Sequence, residues 1–421
     1  MGKTIIEKIL ARAAGGRSVA PGDAFVVDVD IAVLIDSNFF PVYWREIRKV
    51  ADPKKIVVVF DHRIPAPDRA SARAHAVGRE FVKRFGIERF HDVGPDQGIS
   101  HVIAAEWGYA LPGSLLVCSD SHTGSVGAFN CAGRGIGGAD VVYAAITGET
   151  WFRMRPTIRY DIVGKLRPEV VSKDVFLSLA HTYGDHRQDN VEFGGPALAD
   201  LSLDARRTIS TMATELNAGF VVFEPDDLLI EYVRKRNPSP FEPQWPDPDA
   251  TYKDRRVVDL SAMEPLVALP DAIIGNVVPV GQAAGEPIQQ AFIGSCANGS
   301  FDDLEIAARV LAGHRVAAGV RLLITPASQA IYRQALKAGL IEVFTEAGAI
   351  VTSASCGVCA GGHLGVLGPN ETCITASTRN LKGRMGDPTA CIYMASPATV
   401  AASAIAGAIA HPGEFIGNMP S

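Results

Sequence analysis

SCGVCAGGH, at residues 355–363, places two thiols three positions apart among glycines and so decides how the rest of the chain is interpreted. The spacing lets Cys356 and Cys359 turn toward one metal centre, and the glycines allow a backbone path that other residues resist. On its own, such a pair fits half of a zinc site, a redox pair or part of an iron–sulfur site. The surrounding sequence has to distinguish these three interpretations.

The segments before this stretch predict a parallel sheet. An apolar strand at 349–352 leads into Cys356, and another at 290–293 leads into the loop of Cys296. Between them we predict, in order, a helix, a strand and a helix at 301–312, 321–325 and 327–338. Because loops that follow parallel strands meet at one edge of the sheet, we expect the thiols to meet there although they are far apart in sequence.

The first half of the chain shows the same alternation of strands and helices. We predict buried strands at 25–33, 55–60 and 115–117, and helices at 3–14, 68–85 and 139–147. Polar stretches follow the second and third strands, with Asp61-His62 after one and SDSHT at 119–123 after the other, and GISH at 98–101 lies between them. Ligands of α/β sheets bind beyond the carboxyl ends of strands, so these stretches are candidate binding loops.

Histidines in these loops are candidates for acid–base chemistry. A single histidine is more often structural, but three of them, His62, His101 and His122, occur here. Two of the three lie close to Asp61 or Asp120. An aspartate beside a histidine sets its tautomer and raises its pKa, which suits the delivery of a proton to a departing hydroxyl group.

Composition excludes several classes of protein. Hydrophobic residues make up 47% of 421 residues and charged residues 20%, which permits a large buried core. The net charge of −6 is spread without blocks and argues against a nucleic-acid partner. The apolar run at 400–409 is too short to span a bilayer, and the N-terminus lacks the pattern of a signal peptide. We therefore expect a soluble, cytoplasmic protein, and seven cysteines without an export signal argue against a disulfide framework.

The sequence also suggests domain boundaries. We predict three domains at 1–156, 157–280 and 281–421, with a linker near 265–285, where charge is low and Gly, Pro and Val are frequent. The glycines between 133 and 138 resemble a dinucleotide fingerprint only weakly, and we interpret them as a tight turn before the helix at 139–147.

Six motifs together resemble the aconitase superfamily, on its branch of isopropylmalate dehydratase and homoaconitase large subunits. The motifs keep the order of the family along nearly the whole chain: VFDH at 59–62, GISH at 98–101, SDSHT at 119–123, IGSCANG at 293–299, SCGVC at 355–359 and STRNLKGRMG at 377–386. The resemblance implies an α/β fold of three α/β/α sandwich domains around a central cluster cleft, lacking the swivelling fourth domain of the family.

The cofactor implied by the resemblance is one [4Fe–4S] cluster per subunit, held by Cys296, Cys356 and Cys359. Three thiolates leave one iron open to bind the hydroxyl and carboxylate of a substrate as a Lewis acid. A zinc site formed by the same cysteines and His363 remains an alternative. The resemblance also implies a separate small subunit that carries the swivelling domain and the serine that acts as catalytic base.

The resemblance assigns roles to the remaining motif residues. Asp61 and His62 match the pair that protonates the departing hydroxyl. His101, Asp120, Ser121 and His122 match the residues that form hydrogen bonds around the open iron and its water. Glu215 matches a glutamate of a second-domain helix, and Arg379 and Arg384 match the arginines that bind carboxylates. The remaining matches are the acidic Asp36 near the cleft and Asn298 and Asn380 beside the cluster. Taken without the resemblance, Glu215 would be a surface residue, and the two arginines would equally fit surface ion pairs.

Departures from the family pattern affect the substrate and leave the cluster ligands intact. Ile35 stands where a histidine is usual, and Ala297, Thr378 and Thr211 also replace the usual residues. We expect a hydro-lyase acting on a hydroxy di- or tricarboxylate, first of all on isopropylmalate in leucine biosynthesis. Homoaconitate, dimethylmalate and the hydration of maleate or citraconate are alternatives. A cluster-bearing regulatory protein that binds RNA is a further alternative, which the negative charge disfavours.

Overall fold

Parallel strands form most of the sheets in this computed structural model, which describes residues 2–416. The strands, in chain order, are β1 (Ala24–Asp28), β2 (Ile31–Ile35), β3 (Ile56–Val59), β4 (Phe90–His91), β5 (Leu115–Cys118), β6 (Ala132–Gly135), β7 (Glu149–Arg153), β8 (Thr157–Val163), β9 (Asn190–Gly194), β10 (Val221–Phe223), β11 (Asp254–Asp259), β12 (Leu266–Ala268), β13 (Val277–Pro279), β14 (Gln290–Ile293), β15 (Arg321–Ile324), β16 (Ile350–Val351), β17 (Thr372–Thr375) and β18 (Cys391–Ala395).

The α-helices alternate with these strands. In chain order they are α1 (Ile5–Ala13), α2 (Arg69–Phe85), α3 (Ser100–Glu106), α4 (Gly138–Thr147), α5 (Ser172–Tyr183), α6 (Leu203–Met212), α7 (Asp227–Arg234), α8 (Ser295–Asn298), α9 (Phe301–Leu311), α10 (Gln329–Lys337), α11 (Leu340–Ala347) and α12 (Pro397–Ala406). Among the described residues, no helix is both long and apolar enough to cross a membrane.

The chain forms two units. Of the described residues, the first holds 2–94, 100–164 and 186–259, and the second holds 95–99, 165–185 and 260–416. The predicted α/β class with parallel sheets is confirmed in both. The division into three domains at 156 and 280 stays a prediction.

A five-stranded parallel sheet, in the order β4-β3-β2-β5-β6, dominates the first unit. Its central strands β2, β3 and β5 are buried along their whole length, as expected for apolar runs covered on both faces. A parallel four-stranded sheet in the order β10-β9-β8-β11 and the antiparallel pair β1-β7 complete the unit.

The predicted strand at 25–33 is in fact two strands in different sheets. β1 alternates between exposed and buried residues and pairs with β7, whereas β2 is buried throughout and pairs with β3 and β5. The chain changes sheet at Asp30, whose carboxylate accepts a hydrogen bond from the backbone N–H of Leu115 at 2.8 Å. Asp28 and Asp30 interrupt the apolar run and are the sign of this break in the sequence.

The glycines near 135 are not a tight turn, contrary to the prediction. Gly133 and Gly135 lie within β6, and α4 begins only at Gly138. A Cβ added to Gly135 would come within 2.8 Å of the Cα of Ser121, so this strand needs glycine in order to pack against the loop that follows β5.

The second unit contains one mixed sheet in the order β13-β12-β18-β17-β14-β15-β16. The strands from β18 to β16 are parallel, whereas β12 pairs antiparallel with both β13 and β18. The predicted linker near 265–285 is therefore wrong, because it contains two strands of this sheet. Its low charge reflects the burial of β12, and its three glycines lie outside these short strands, as do Pro265 and Pro270, whereas Pro279 ends β13.

Candidate active site

Three aspartates follow three adjacent strands of the first unit. Asp36 comes directly after β2, Asp61 lies two residues beyond β3, and Asp120 lies two residues beyond β5. Because β2 lies between β3 and β5 and the strands are parallel, the three carboxylates gather at one edge of the sheet. Asp36 and Asp61 are fully buried there.

His62 lies between these carboxylates. Its Nδ1 is 2.6 Å from Asp61 Oδ1 and 3.8 Å from Asp36 Oδ1, and its Nε2 is 3.2 Å from Asp120 Oδ2. A carboxylate can only accept, so an N–H of the ring points to Asp61 and another to Asp120. This environment favours the imidazolium, the form of the ring that can deliver a proton.

Two further histidines are paired with carboxylates in the same unit. His101, in the first turn of α3, places Nε2 3.0 Å from Asp120 Oδ1. His122 places Nε2 2.9 Å from Glu215 Oε1 and Nδ1 3.4 Å from Asp120 Oδ1. The predicted group of histidines and acids in the first unit is thus brought together. Ser121 lies in the same loop, where its carbonyl accepts a hydrogen bond from Thr214.

The charges of this cluster are coupled. Burial alone would raise the pKa of Asp120, but hydrogen bonds from His101, His122 and His62 outweigh burial and hold that pKa well below its usual range. Burial lowers the pKa of His122, but its contacts with Asp120 and Glu215 outweigh burial and raise that pKa. The cluster therefore keeps carboxylate and imidazolium charges in a shielded environment.

Sequence reasoning missed His75, which extends the cluster. His75 lies on α2, is buried, stacks on Phe60 at 4.5 Å between ring centroids, and places Nε2 3.7 Å from Asp36 Oδ2. The other contact of that oxygen is the backbone N–H of Arg63, at 2.7 Å. Burial raises the pKa of Asp36, but His75 and His62 outweigh it and lower that pKa overall. The sequence gives no sign of this role, because a histidine buried on a helix has no pattern that would indicate it.

In the second unit, the three predicted thiols follow parallel strands of one sheet. Cys296 follows β14, whereas Cys356 and Cys359 follow β16, and only β15 separates these strands. Each cysteine is 5–6% exposed. All seven cysteines lie within the described residues and none of them is in a disulfide, as expected.

The turns that carry the thiols meet over one aromatic ring. A Cβ added to Gly294 would lie 2.8 Å from Cζ of Phe292, and one added to Gly357 would lie 2.9 Å from the same atom. Gly357 also has a φ of 59°, which only glycine adopts without strain. The glycines that surround the cysteines are therefore required by close packing against Phe292.

A loop after β17 contacts the thiol of Cys359. The hydroxyl Oγ1 of Thr378 is 3.4 Å from Cys359 Sγ, and Nε of Arg384 donates to the Cys359 carbonyl at 2.9 Å. Lys173, which is fully buried on α5, donates from Nζ to the carbonyl of Ser377 at 2.9 Å. Sequence reasoning assigned no role to Thr378 or Lys173, and the position of Thr378 after a strand was the one available signal.

Other predicted residues of this unit have defined places. Asn298 donates from Nδ2 to Asp303 at 2.8 Å, and Asn380 donates from Nδ2 to the carbonyls of Leu269 and Ala272. Within residues 2–416, the amide oxygens of both asparagines lack a hydrogen-bond partner although both residues are fully buried. Arg379 is half-buried beside Thr378, and His363 is buried.

These residues fit an iron–sulfur cluster by the chemistry of their donors. Thiolates are the ligands of such clusters, and here three buried thiols lie in turns that share an apolar floor. The hydroxyl of Thr378 and the guanidinium of Arg384 add polar groups beside Cys359, as is common around sulfur ligands.

Comparison with known proteins defines the class of the chain. A family model described as "Aconitase family (aconitate hydratase)" matches residues 46–407. The chain belongs to the aconitase family, and the resemblance drawn from the six motifs is confirmed. Membership of this family implies a [4Fe–4S] cluster.

Individual relatives narrow the comparison. The 3-isopropylmalate dehydratase large subunit of Mycolicibacterium smegmatis is 50% identical over 409 residues, which covers 97% of this chain and 96% of that protein. The probable methanogen homoaconitase large subunit of Methanothermobacter thermautotrophicus is 40% identical over 425 residues, covering 98% of both chains. Among solved structures, that of Thermococcus kodakaraensis aconitase X (holo-form) matches with a TM-score of 0.48 and 14% identity, over 85% of this chain and 84% of that chain.

Proposed function

We propose that this protein is the large subunit of a hydro-lyase that isomerises isopropylmalate by removing water and adding it back. The observation that carries this proposal is the pairing of each candidate proton-transfer histidine with a carboxylate. The 50% identity to a 3-isopropylmalate dehydratase large subunit over nearly the whole chain supports the choice of substrate.

Cys296, Cys356 and Cys359 would hold the [4Fe–4S] cluster of this enzyme. When bound, the cluster supplies an iron that acts as a Lewis acid toward a hydroxyl or carboxylate of the substrate. The protein contributes the buried thiols and the hydroxyl of Thr378 at Cys359.

His62 is the proton donor in this proposal. Dehydration removes a hydroxide equivalent and a proton, and the imidazolium of His62 would protonate the hydroxyl oxygen so that it leaves as water. Asp61 and Asp120, at 2.6 and 3.2 Å, orient the ring and stabilise its charge. In the hydration step His62 would take a proton back from the incoming water.

Arg379 and Arg384 would bind the carboxylates of the substrate. Guanidinium groups bind carboxylates through two parallel hydrogen bonds. Arg384 is already oriented by its hydrogen bond to the Cys359 carbonyl, which ties a carboxylate-binding residue to a cluster ligand.

A small subunit would complete the enzyme. The relatives compared above are named large subunits, which implies a smaller partner in those proteins. In our proposal the partner of this chain carries a swivelling domain whose serine removes the proton from the carbon adjacent to the one that bears the leaving hydroxyl.

A substrate panel tests the proposed reaction. The chain is co-expressed with its small subunit, purified without oxygen, and assayed with 3-isopropylmalate, homocitrate, dimethylmalate and maleate by following the absorbance of the alkene acid. We expect the highest kcat/KM for 3-isopropylmalate and little turnover by the chain alone. A preference for homocitrate would reassign the enzyme to homoaconitase, and full turnover by the isolated chain would refute the two-subunit proposal.

Metal analysis and a matched pair of variants test the site. Iron and sulfide in equal amounts, near four of each per chain, are expected, whereas one zinc and no sulfide would support the alternative site with His363. His62→Asn should lower kcat by roughly 10²–10⁴-fold and keep the iron content, since general acid catalysis contributes about that much. The exposed His314→Asn serves as the control, and equal loss in both variants would contradict the role of His62.

A further inference from the structure

A cavity of about 330 Å³ opens in the first unit, and none of the carboxylates that gather after β2, β3 and β5 lines it. Its walls come from the junction of β6 and α4, from β7 and the residues after it, and from the segment around Gly219 and Phe220. Its volume is within the range of sites that bind small ligands, about 300–1,000 Å³. The function proposed above does not use it.

Positive charge dominates the lining of this cavity. Among the described residues, its charged side chains are those of Arg134, Arg153, Arg155 and Asp140. Along the strand β7 successive side chains point to opposite faces, so Trp151 and Arg153 share the exposed face, and Arg155 continues this alternation two residues beyond. The cavity therefore has an arginine-rich wall with an exposed indole beside it.

Arg134 lines the cavity and has no carboxylate partner within residues 2–416. Its Nη1 donates to the carbonyls of Ala218 and Gly219, and its Nη2 donates to Oε1 of Gln188 at 2.7 Å. Burial and the nearby charge of Arg155 both disfavour the positive charge of Arg134 and lower its pKa. A bound anion would compensate this charge.

The first turn of α4 also lines the cavity. Its N-cap is Gly137, which lines the cavity and has no side chain with which to cap the helix. The amide groups at the start of a ten-residue helix carry partial positive charge. The carboxylate of Asp140 lies in the same turn beside Gly137 and offsets part of this charge, so it is the three arginines that make the cavity suited to a negatively charged group.

We propose that this cavity binds a small dianion, either a phosphate group or a dicarboxylate, and that binding of the dianion changes the interaction between His122 and Glu215. The coupling follows from what Arg134 and Gly135 contact. Gly135 packs against Ser121, the neighbour of His122, and Arg134 holds the carbonyls of residues 218 and 219, which follow Glu215 by three and four positions. The same dipeptide of β6 thus supports both partners of the pair.

Binding is tested by titrating the holoenzyme with inorganic phosphate and, separately, with succinate, at constant ionic strength in a calorimeter. The variants are the double substitution Arg153→Gln/Arg155→Gln and the control Arg17→Gln, an exposed arginine outside the cavity. We expect one of the two anions to bind with a dissociation constant that rises at least about tenfold in the double variant, since two charge-assisted hydrogen bonds are lost. The control should bind as the wild type does.

The comparison of the two anions identifies the ligand chemistry, because tighter binding of phosphate points to phosphate esters and tighter binding of succinate points to dicarboxylates. Equal affinity of wild type and double variant for both anions would overturn the site. The proposed site would also be overturned if the double variant bound both anions normally but lost its small subunit, because the arginines would then belong to a protein interface.

The coupling has its own readout. The pH profile of kcat should shift when the bound anion is present, in the wild type and in Arg17→Gln but not in the double variant. A profile that moves equally in all three proteins would place the effect of the anion in the active site and would overturn the coupling.

Discussion

Replacing Glu215 by Gln should lower the pKa of His122 and leave the fold intact. Glu215 Oε1 is 2.9 Å from His122 Nε2, and both side chains are largely buried, at 11% and 5% exposure. An opposite charge at this distance typically changes a pKa by about 1–3 units. Asp120 also holds His122 and contributes more to its raised pKa than Glu215 does. We therefore expect the loss of Glu215 to lower the pKa of His122 by about 1 unit.

The lower pKa of His122 in Glu215→Gln should reduce stability in a definite range of pH. A histidine whose pKa is raised in the folded state stabilises the fold below its unfolded pKa, about 6.5, and that stabilisation is lost as pH rises through the folded value. One pKa unit corresponds to about 1.4 kcal/mol. Glu215→Gln should thus cost about 1.4 kcal/mol more at pH 5.5 than at pH 9.

Histidine-selective NMR provides the direct assay. The pKa of His122 is read from its ring resonances, assigned with His122→Gln, in the wild type, in Glu215→Gln and in the control Glu88→Gln, an exposed glutamate on the same unit. Urea unfolding at the two pH values gives the stability difference. An unchanged or higher pKa in Glu215→Gln, or an equal effect of the control, would refute the electrostatic account of this pair.

Three further predictions concern the second unit. Cys359→Ser should lose most of its iron after anaerobic reconstitution, measured as iron per chain, whereas the exposed Cys391→Ser should keep it, and equal retention would contradict the role of Cys359 as a ligand. Burial raises the pKa of Asp174 to about 7, so stability should fall as pH rises from about 4 to 7, by about 4 kcal/mol in all. Asp174→Asn should flatten this dependence in urea unfolding, and an unchanged slope would contradict it. Lys173→Met should leave the Ser377 carbonyl unpartnered, cost about 1–3 kcal/mol and speed the alkylation of Cys359 in the apo protein, whereas Lys173→Arg should restore part of the protection. Equal alkylation rates in all three proteins would show that Lys173 does not position this loop.

Elements with a strong local signal could be predicted from the sequence. The strand at 290–293 has the predicted bounds, because a short apolar run between polar residues leaves little choice of register. The pairing of Asp61 with His62 was predictable because the two residues are neighbours, and the gathering of the strand-end loops follows from the parallel sheet. The resemblance added the ligand set of the cluster, which spacing alone left open.

Contacts that depend on tertiary structure could not be derived from local sequence. Glu215 meets His122 across 93 positions, and Lys173 meets Ser377 across 204, so no periodicity connects them. The resemblance supplied Glu215, and nothing in the sequence supplied Lys173. The linker prediction near 265–285 was wrong for a related reason. β12 has only three residues, which is too short for its pattern to be recognised, and it forms a strand because it pairs with the distant β18.

The strand order of the first unit explains why Asp36 matters. Along the chain Asp36 comes before Asp61 and Asp120, but β2 lies between β3 and β5, so its carboxylate is placed at the centre of the cluster. Asp36 is fully buried at this position, and its carboxylate stays ionised because His62 and His75 lie within 4 Å. Since a charge buried in this way must be balanced by its neighbours, Asp36 favours the charged form of the histidine that we propose as proton donor. A central carboxylate thus acts through His62, and its position follows from the topology of the sheet.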